Sequence, residues 1–229
     1  METIAIILAG GKGSRFSEKE IKQLTNIKGR PILAYTIEKF QNSSCIDEIS
    51  VVANKDIFEN IEHLVKREKF EKVKHIIEGG KTRTLSVYSA IKLYVKLCNE
   101  ERKVLIHDGV RPLVNHEVIA SCVKTLDNHE ACAVATKTTD TIFELENGKI
   151  KNIPCRNVLY NAQTPQCFLL SHLEKAYKKA LSLDDTNFSD DCSLMMKYYP
   201  NIDIHVIEGN KENIKLTFPS DIFYLNELV

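Results

Sequence analysis

The chain has 229 residues, with 31 Lys plus Arg against 31 Asp plus Glu and a formal net charge of zero. That length suits one ordinary domain with a sizeable core. The charge balance excludes a broadly basic nucleic-acid surface, so any anion site has to be local. Seven cysteines (Cys45, Cys98, Cys122, Cys132, Cys155, Cys167 and Cys192) are odd in number and form no CxxC pair. Most fall in apolar segments, which predicts buried reduced thiols in a cytosolic protein.

The chain opens "METIAIILAG". Its lead is acidic and its apolar run is too short for a signal core or a membrane span, so a cytoplasmic protein without a membrane partner is expected. "TIAIILAG" reads as a buried strand. "RPILAYTIEKFQNS" has helical spacing, "IDEISVVAN" is a second strand, and "DIFENIEHLVKREKF" is a helix with Asp56 as candidate cap. "VKHIIEGG" is a third strand and "TLSVYSAIKLYVKLC" a helix capped by Thr82 or Thr84. "KVLIHDGVRP" is a fourth strand running into a loop. "NHEVIASCVKTLDN" is a helix with Asn115 as cap, and "ACAVATKTTDTIFE" is strand-like. This alternation predicts an α/β fold, with a Rossmann-like, mostly parallel sheet flanked by helices, in a single unit over residues 1–229. One segment breaks the rhythm. In "TDTIFELENGKIKNIPCRNVLYNAQTPQ", Asn147-Gly148 signals a two-residue hairpin. Residues 137–160 are then either a projecting β-hairpin arm or an ordinary sheet-edge hairpin.

Ligands of open parallel sheets bind at the carboxyl ends of the strands. Four stretches converge there. "GGKGSR" lacks the glycine a dinucleotide fingerprint needs at Phe16, and lacks the ending of a P-loop. Gly10, Gly11 and Gly13 still allow inward-pointing N–H groups, with Arg15 and Lys22 as adjacent cations. The stretch is a triphosphate cradle or a helix-start turn with solvated cations. "GGKTRTLS" offers Gly79, Gly80, Arg83 and Ser86 to a base or sugar edge, or is a capped helix start. In "HDGVRP", Asp108 either holds a metal on a triphosphate or pairs with Arg111 to fix the loop, and His107 is read as a hydrogen-bonded core residue. "ENIKLTFPSD" places Lys215 and Thr217 on one side of a strand, toward a ligand or toward solvent. No Ser/His/Asp order, metal-binding His pair or Cys–His pair is present. Cations, glycines and one carboxylate suit phosphoryl or nucleotidyl transfer, where positioning and charge neutralisation carry catalysis and an ionised phosphate nucleophile needs no base.

Taken in order, "LAGGKGSRF", "KQL", "GRPILAYTIEKF", "GGKTRTLSV", "HDGVRP", "TTDTIFE", "AQTPQCF" and "NIKLTFPSD" resemble the polyol-phosphate cytidylyltransferases over nearly the whole chain. Two branches are relevant, acting on D-ribitol 5-phosphate in wall and capsule synthesis or on 2-C-methyl-D-erythritol 4-phosphate in isoprenoid synthesis. The resemblance implies that CTP and a polyol phosphate give CDP-polyol and pyrophosphate, with Mg2+ or another divalent cation. It implies that Arg15 and Lys22 stabilise the transition state and that Lys215 contacts phosphate. Leu8, Ala9, Gly10 and Gly11, with Gly80, Lys81, Thr82, Arg83, Thr84, Leu85 and Ser86, match the CTP loops. Asp108, followed by Gly109, matches the carboxylate by the ribose and metal. Thr141, Arg156 and Thr217, with Arg111, match positions that place the polyol phosphate. The resemblance also implies a homodimer in which the arm completes the partner's site. Two departures stand out: Ile21 where such relatives have proline, and Gly109 where they have alanine or serine. "NIPCRNVLYNAQTPQ" and "DGVRP" lean toward the ribitol branch. The alternatives are the methylerythritol enzyme, an inactive nucleotide-binding regulator that kept the fold, and, more broadly, a sugar-1-phosphate nucleotidylyltransferase.

Overall fold

The structure is a computed structural model and describes residues 1–11, 16 and 21–229. The first strand, β1 (Thr3–Leu8), is buried along almost its whole length, as an uninterrupted apolar run has to be when both faces are covered. A small ribbon, β2 (Asn26–Ile27) and β3 (Arg30–Pro31), leads into α1 (Ile32–Gln41). Then β4 (Glu48–Ala53), α2 (Phe58–Glu68), β5 (Val73–Glu78), α3 (Arg83–Leu97), β6 (Lys103–Asp108), α4 (His116–Thr125) and β7 (Ala131–Lys137) alternate as expected. A second ribbon follows, β8 (Glu144–Glu146) and β9 (Lys149–Asn152), and then β10 (Tyr160–Leu169), α5 (Leu170–Ser182), α6 (Asp191–Tyr198), β11 (Ile204–Glu208) and α7 (Asp221–Leu228).

Seven strands form one sheet in the order β11-β7-β10-β6-β1-β4-β5. β1 pairs in parallel with β4 and β6, β4 with β5, and β11 with β7. Among the described strands of this sheet, only β10 runs against its neighbours, β6 and β7. The two-residue period of the strands sorts their side chains to two cores. Ala5 and Ile7 pack with Leu33, Ile37 and Phe40 of α1, Ile61 of α2 and Ile119 of α4. Ile4 and Ile6 pack on the opposite face with Val87, Ile91 and Tyr94 of α3, Leu173 and Tyr177 of α5, and Met195 of α6. Each such side chain removed from water contributes about 1.5–3 kcal/mol. A third cluster joins Phe16, Ile27, Ile32, Val110 and Leu216 to Leu225 of α7.

Several local readings need correction. Asp56 lies inside a 3-10 turn over Lys55–Ile57 that precedes α2, and the residue before α2 makes no side-chain cap bond. Asn115 occupies the N-cap position of α4 with extended backbone, but its side chain makes no cap bond. For α3 the alternative is resolved: Thr82 caps it, accepting from Leu85 N at 3.2 Å. The strand-like run from Ala131 stops at Lys137, and residues 138–143 are irregular. The 213–217 segment has no strand pairing. Cys122, Cys132 and Cys167 are buried as expected, whereas Cys155 is exposed.

The Asn147-Gly148 hairpin is present. Both residues have positive φ, 52° and 75°, as a tight two-residue turn between twisted strands requires. Every residue of β8 and β9 is exposed. Ile142, Phe143, Leu145, Ile150, Ile153 and Val158 are all exposed large apolar side chains on this segment. A lone two-stranded ribbon is marginal in water. No helix among the described residues is long and apolar enough to cross a membrane.

Candidate active site

The carboxyl ends of four parallel strands open onto one cleft of about 770 Å³. β1 delivers Leu8, Gly10 and Gly11 to its wall, β4 delivers Asn54, β5 delivers Gly79 to Thr82, and β6 delivers Asp108 and Val110. This is where side chains from distant sequence positions meet in an open α/β sheet. Lys22, Lys215 and Thr217 complete the cationic side of the wall.

The turn after β5 is braced by its own helix. Ser86 Oγ accepts from Gly80 N at 3.1 Å and lies 2.9 Å from Thr82 O. Its hydroxyl is thereby committed to shaping the glycine turn. Thr82, Arg83 and Ser86 all line the cleft, so the N-terminus of α3, with its partial positive charge, borders the space an anion would occupy. Opposite, Gln23 Nε2 donates to Gly11 O at 2.7 Å and fixes the backbone of the first glycine turn.

Asp108 is the electrostatic centre. Its Oδ2 lies 3.0 Å from Lys215 Nζ and accepts from Arg111 Nε at 3.1 Å. Burial alone would raise this carboxyl. The charges of Lys215, Arg111 and Arg83 overcome that and hold it well below the usual carboxylate range, so it is ionised at neutral pH. Arg111 also donates through NH1 to Asn213 O at 2.7 Å, tying the loop after β6 to the C-terminal segment. Leu216 N donates to Val110 O at 3.0 Å, and Leu216 is buried. Lys215 and Thr217, its neighbours, therefore face the cleft together without a strand to hold them.

His107, fully buried, is the hydrogen-bonded core residue expected. Nε2 lies 3.0 Å from the Arg111 carbonyl and Nδ1 lies 2.9 Å from Thr164 Oγ1. A carbonyl only accepts, so Nε2 carries the proton and Nδ1 accepts from the threonine hydroxyl. Thr164 Oγ1 in turn accepts from Asp108 N at 3.2 Å. Burial pushes the imidazole down to about 4, so it stays neutral.

The described cleft wall thus contains Leu8, Gly10, Gly11, Lys22, Gly79, Gly80, Lys81, Thr82, Arg83, Ser86, Asp108, Lys215 and Thr217 of the residues singled out in the sequence. Gly13 and Arg15 lie outside the described residues. Ala9 and Thr84 are buried and, like Leu85, do not line the cleft. Arg111 stands behind the wall, with its guanidinium spent on Asp108 and Asn213. Gly109 is likewise a packing position. A Cβ there would fall 2.9 Å from Leu8 O and 3.0 Å from Leu33 Cδ1, so no side chain fits without a shift. Thr141 and Arg156 are exposed and do not line the cleft of their own chain. Arg156 NH1 donates to Thr139 O at 3.1 Å beside a second, shallower pocket on the arm. Sequence reasoning missed Asn54, although its place directly after the second predicted strand was a usable signal. It also missed Val110 and the bracing Asn213, whose Nδ2 donates to Gln163 Oε1 and Thr164 O at 3.1 and 3.0 Å.

Among the described residues, two donor sets bear on metal binding. The sulfurs of Cys122, Cys132 and Cys167 lie within 4.8 Å of one another, but all three are fully buried in the apolar core. Three thiolates there would leave uncompensated negative charge around a divalent ion, at high cost, so the trio is packing. Asp108 fits a hard divalent cation better. It is ionised, it borders the cleft, and both cationic side chains sit on Oδ2 rather than Oδ1. One carboxylate with phosphate oxygens and water is an ordinary magnesium shell.

The sequence profile of the 2-C-methyl-D-erythritol 4-phosphate cytidylyltransferase family (IspD) matches residues 3–228. The chain is 39% identical over 220 residues to the 2-C-methyl-D-erythritol 4-phosphate cytidylyltransferase of Clostridium novyi, covering 95% of this chain and 92% of that one. It is 34% identical over 227 residues to the ribitol-5-phosphate cytidylyltransferase of Streptococcus agalactiae serotype III, covering 98% and 94%. Among solved structures, 4-diphosphocytidyl-2C-methyl-D-erythritol synthase from Anaerococcus prevotii superposes with a TM-score of 0.84 at 28% identity, covering 99% of this chain and 96% of that one.

Proposed function

The chain belongs to the 2-C-methyl-D-erythritol 4-phosphate cytidylyltransferase family, and from that premise we propose that it transfers the cytidylyl group of CTP to D-ribitol 5-phosphate. Its activity as a cytidylyltransferase follows from the family and from relatives of both substrate types. The observation that carries the chemistry is the cleft wall itself, which among the described residues brings together two glycine turns, lysines 22 and 215, and the ionised carboxylate of Asp108. A phosphate oxygen of the polyol phosphate attacks the α-phosphorus of CTP. A new P–O bond forms, the bond from the α-phosphorus to the bridging oxygen breaks, and pyrophosphate leaves with the electron pair. The nucleophile is already ionised, so no proton has to be removed.

The residues divide the work by position. The Gly10-Gly11 and Gly79-Gly80 turns hold the nucleotide by backbone groups. Lys22 and Arg15 neutralise charge that builds on the α-phosphate. Lys215, held 3.0 Å from Asp108, meets the incoming phosphate. Asp108 would hold a magnesium ion, which when bound screens the triphosphate. Thr217 places the acceptor, and Thr141 and Arg156 do so from the arm of a partner subunit. The exposed apolar side chains of residues 142–158 support that reading, since a symmetric homodimer would cover them. The protein works in the cytoplasm. The ribitol acceptor rests on the "NIPCRNVLY" and "DGVRP" stretches. The methylerythritol acceptor stays as a second reading because relatives of that name are as similar. A pyrophosphate-release assay with CTP, UTP, ATP or GTP and D-ribitol 5-phosphate tests the proposal. Strong preference for CTP supports it, and equal turnover of ATP and CTP removes it.

A further inference from the structure

Arg83 lines the cleft, and one edge of its guanidinium is anchored on α6. Its Nη2 donates to Asp191 Oδ2 at 2.5 Å. Asp191, the first residue of α6, is fully buried and lies 108 positions away in sequence. Its other carboxylate oxygen, Oδ1, accepts from the Tyr177 hydroxyl of α5. Its backbone N–H donates to Gln166 Oε1 at 2.8 Å, and Gln166 Nε2 donates to Asp190 Oδ2 at 3.0 Å. The carboxylate is thus held on both oxygens and at its backbone. Such an arrangement fixes the orientation of whatever it binds.

What it binds is a donor facing the site. Arg83 keeps 24% of its side chain exposed while its partner has none. A guanidinium has five N–H donors, and the hydrogen bond to Asp191 uses one of them. Arg83 is also the first residue of α3, directly after the Gly79–Thr82 turn that walls the cleft. Its charge reaches far enough to help keep Asp108 ionised. The pair therefore links the nucleotide wall to the α5–α6 layer at one point.

We propose that Asp191 is a positioning residue for the nucleotide site: by gripping one edge of Arg83 it aims the remaining guanidinium donors at CTP and locks the Gly79–Thr82 turn in its binding geometry. This rests on the reading of the cleft as a CTP site. Loss of the grip should weaken CTP binding and leave the chemical step almost untouched. A CTP phosphate or ribose oxygen is the class of acceptor that the free donors suit.

The test uses Asp191→Asn, Arg83→Gln and the double variant, each measured for Tm, for kcat and KM with CTP, and for equilibrium CTP binding. Asp191→Asn should raise KM and Kd for CTP roughly tenfold with kcat within about threefold, as loss of ground-state and transition-state binding alike predicts. Its Tm should fall, because the largely covered Arg83 guanidinium loses its charged partner. Arg83→Gln should raise KM by a similar factor. In the double variant the unpaired guanidinium is gone, so Tm should recover part of its loss, while KM stays at the Arg83→Gln value. If KM returns with Tm, the pair only holds the fold and the proposal is overturned. Multiplying factors would also overturn it, because Asp191 would then act by another route. Should Asp191→Asn fail to fold, the comparison of the double variant with Arg83→Gln decides alone, since Asp191 must then add nothing to KM. Wild-type protein that binds no CTP defeats the site reading, whereas wild-type binding with an unaltered Asp191→Asn variant defeats only this inference.

Discussion

Acidifying the protein from pH 7 toward pH 4 should cost stability through His107. The imidazole is fully buried, bonded at both nitrogens, and pushed down to about 4 from an ordinary 6.5. Protonating it would put a second proton on Nδ1, opposite a threonine hydroxyl that currently donates to that nitrogen. Between pH 6.5 and 4 the unfolded chain therefore binds a proton at this position and the folded one does not. By linkage, stability falls as pH falls through that window and is fully present above it. The whole difference is worth about 3 kcal/mol, and about 2 kcal/mol of it is gone by pH 5. Asp108 adds a separate effect of the opposite origin. Its depressed carboxyl contributes stability that starts to be lost only as pH falls into the usual carboxylate range, so the two windows barely overlap. The assay is urea unfolding of wild type and His107→Gln at pH 7, 6 and 5. The glutamine amide can still donate to the Arg111 carbonyl but does not titrate. Wild type should lose stability across the series, and the variant, whatever its starting stability, should lose about 2 kcal/mol less between pH 7 and 5. Parallel losses in the two proteins would refute the assignment to His107.

Three further outcomes are expected. Lys22→Ala should lower kcat by about 100-fold or more, the scale of losing one preorganised charge-stabilising donor, with Tm nearly unchanged; a variant with near-normal kcat would move the chemistry elsewhere. Gly109→Ala should destabilise by about 1–3 kcal/mol in urea unfolding, because its Cβ would sit 2.9 Å from Leu8 O and 3.0 Å from Leu33 Cδ1; unchanged stability would show that β1 and α1 yield freely. Lys22→Ala and Arg156→Ala proteins, each inactive alone, should regain activity when mixed and allowed to exchange subunits, since one site then combines an intact Lys22 with an intact arm. Heterodimers that form and stay inactive would show that the arm serves its own subunit.

The first half of the fold was legible because its strands are short apolar-rich runs, β1 and the cores of β4 and β6 above all, and they alternate with segments of helical spacing. The carboxyl-end rule brings Gly10, Gly80, Asp108 and Lys215 to one cleft from the strand pattern alone. β10 was harder to read. It carries Pro165, which argues against an interior strand, and the sheet accommodates it where the register shifts between Ala162 and Gln166. Lys215 and Thr217 were read correctly as neighbours on one side, but for the wrong reason. Buried Leu216 and its bond to Val110 orient them, not strand pairing. Arg111 and Gly109 sit inside a motif, and only packing shows that they support the wall rather than form it. Asp191 was not legible at all. Its meaning lies in a contact with Arg83 made 108 residues away, and nothing local marks a buried acid as the holder of a distant guanidinium.

Cytidylyl transfer to a ribitol phosphate can be read from a competition in one tube. Wild-type protein, CTP and Mg2+ are supplied with equal concentrations of D-ribitol 5-phosphate and 2-C-methyl-D-erythritol 4-phosphate, and the nucleotide products are weighed by mass spectrometry at early times. CDP-ribitol should dominate, with one pyrophosphate released for each CDP-polyol formed. A product pool dominated by CDP-methylerythritol would contradict the acceptor assignment, and absence of both products would contradict the cytidylyltransferase reading of the cleft.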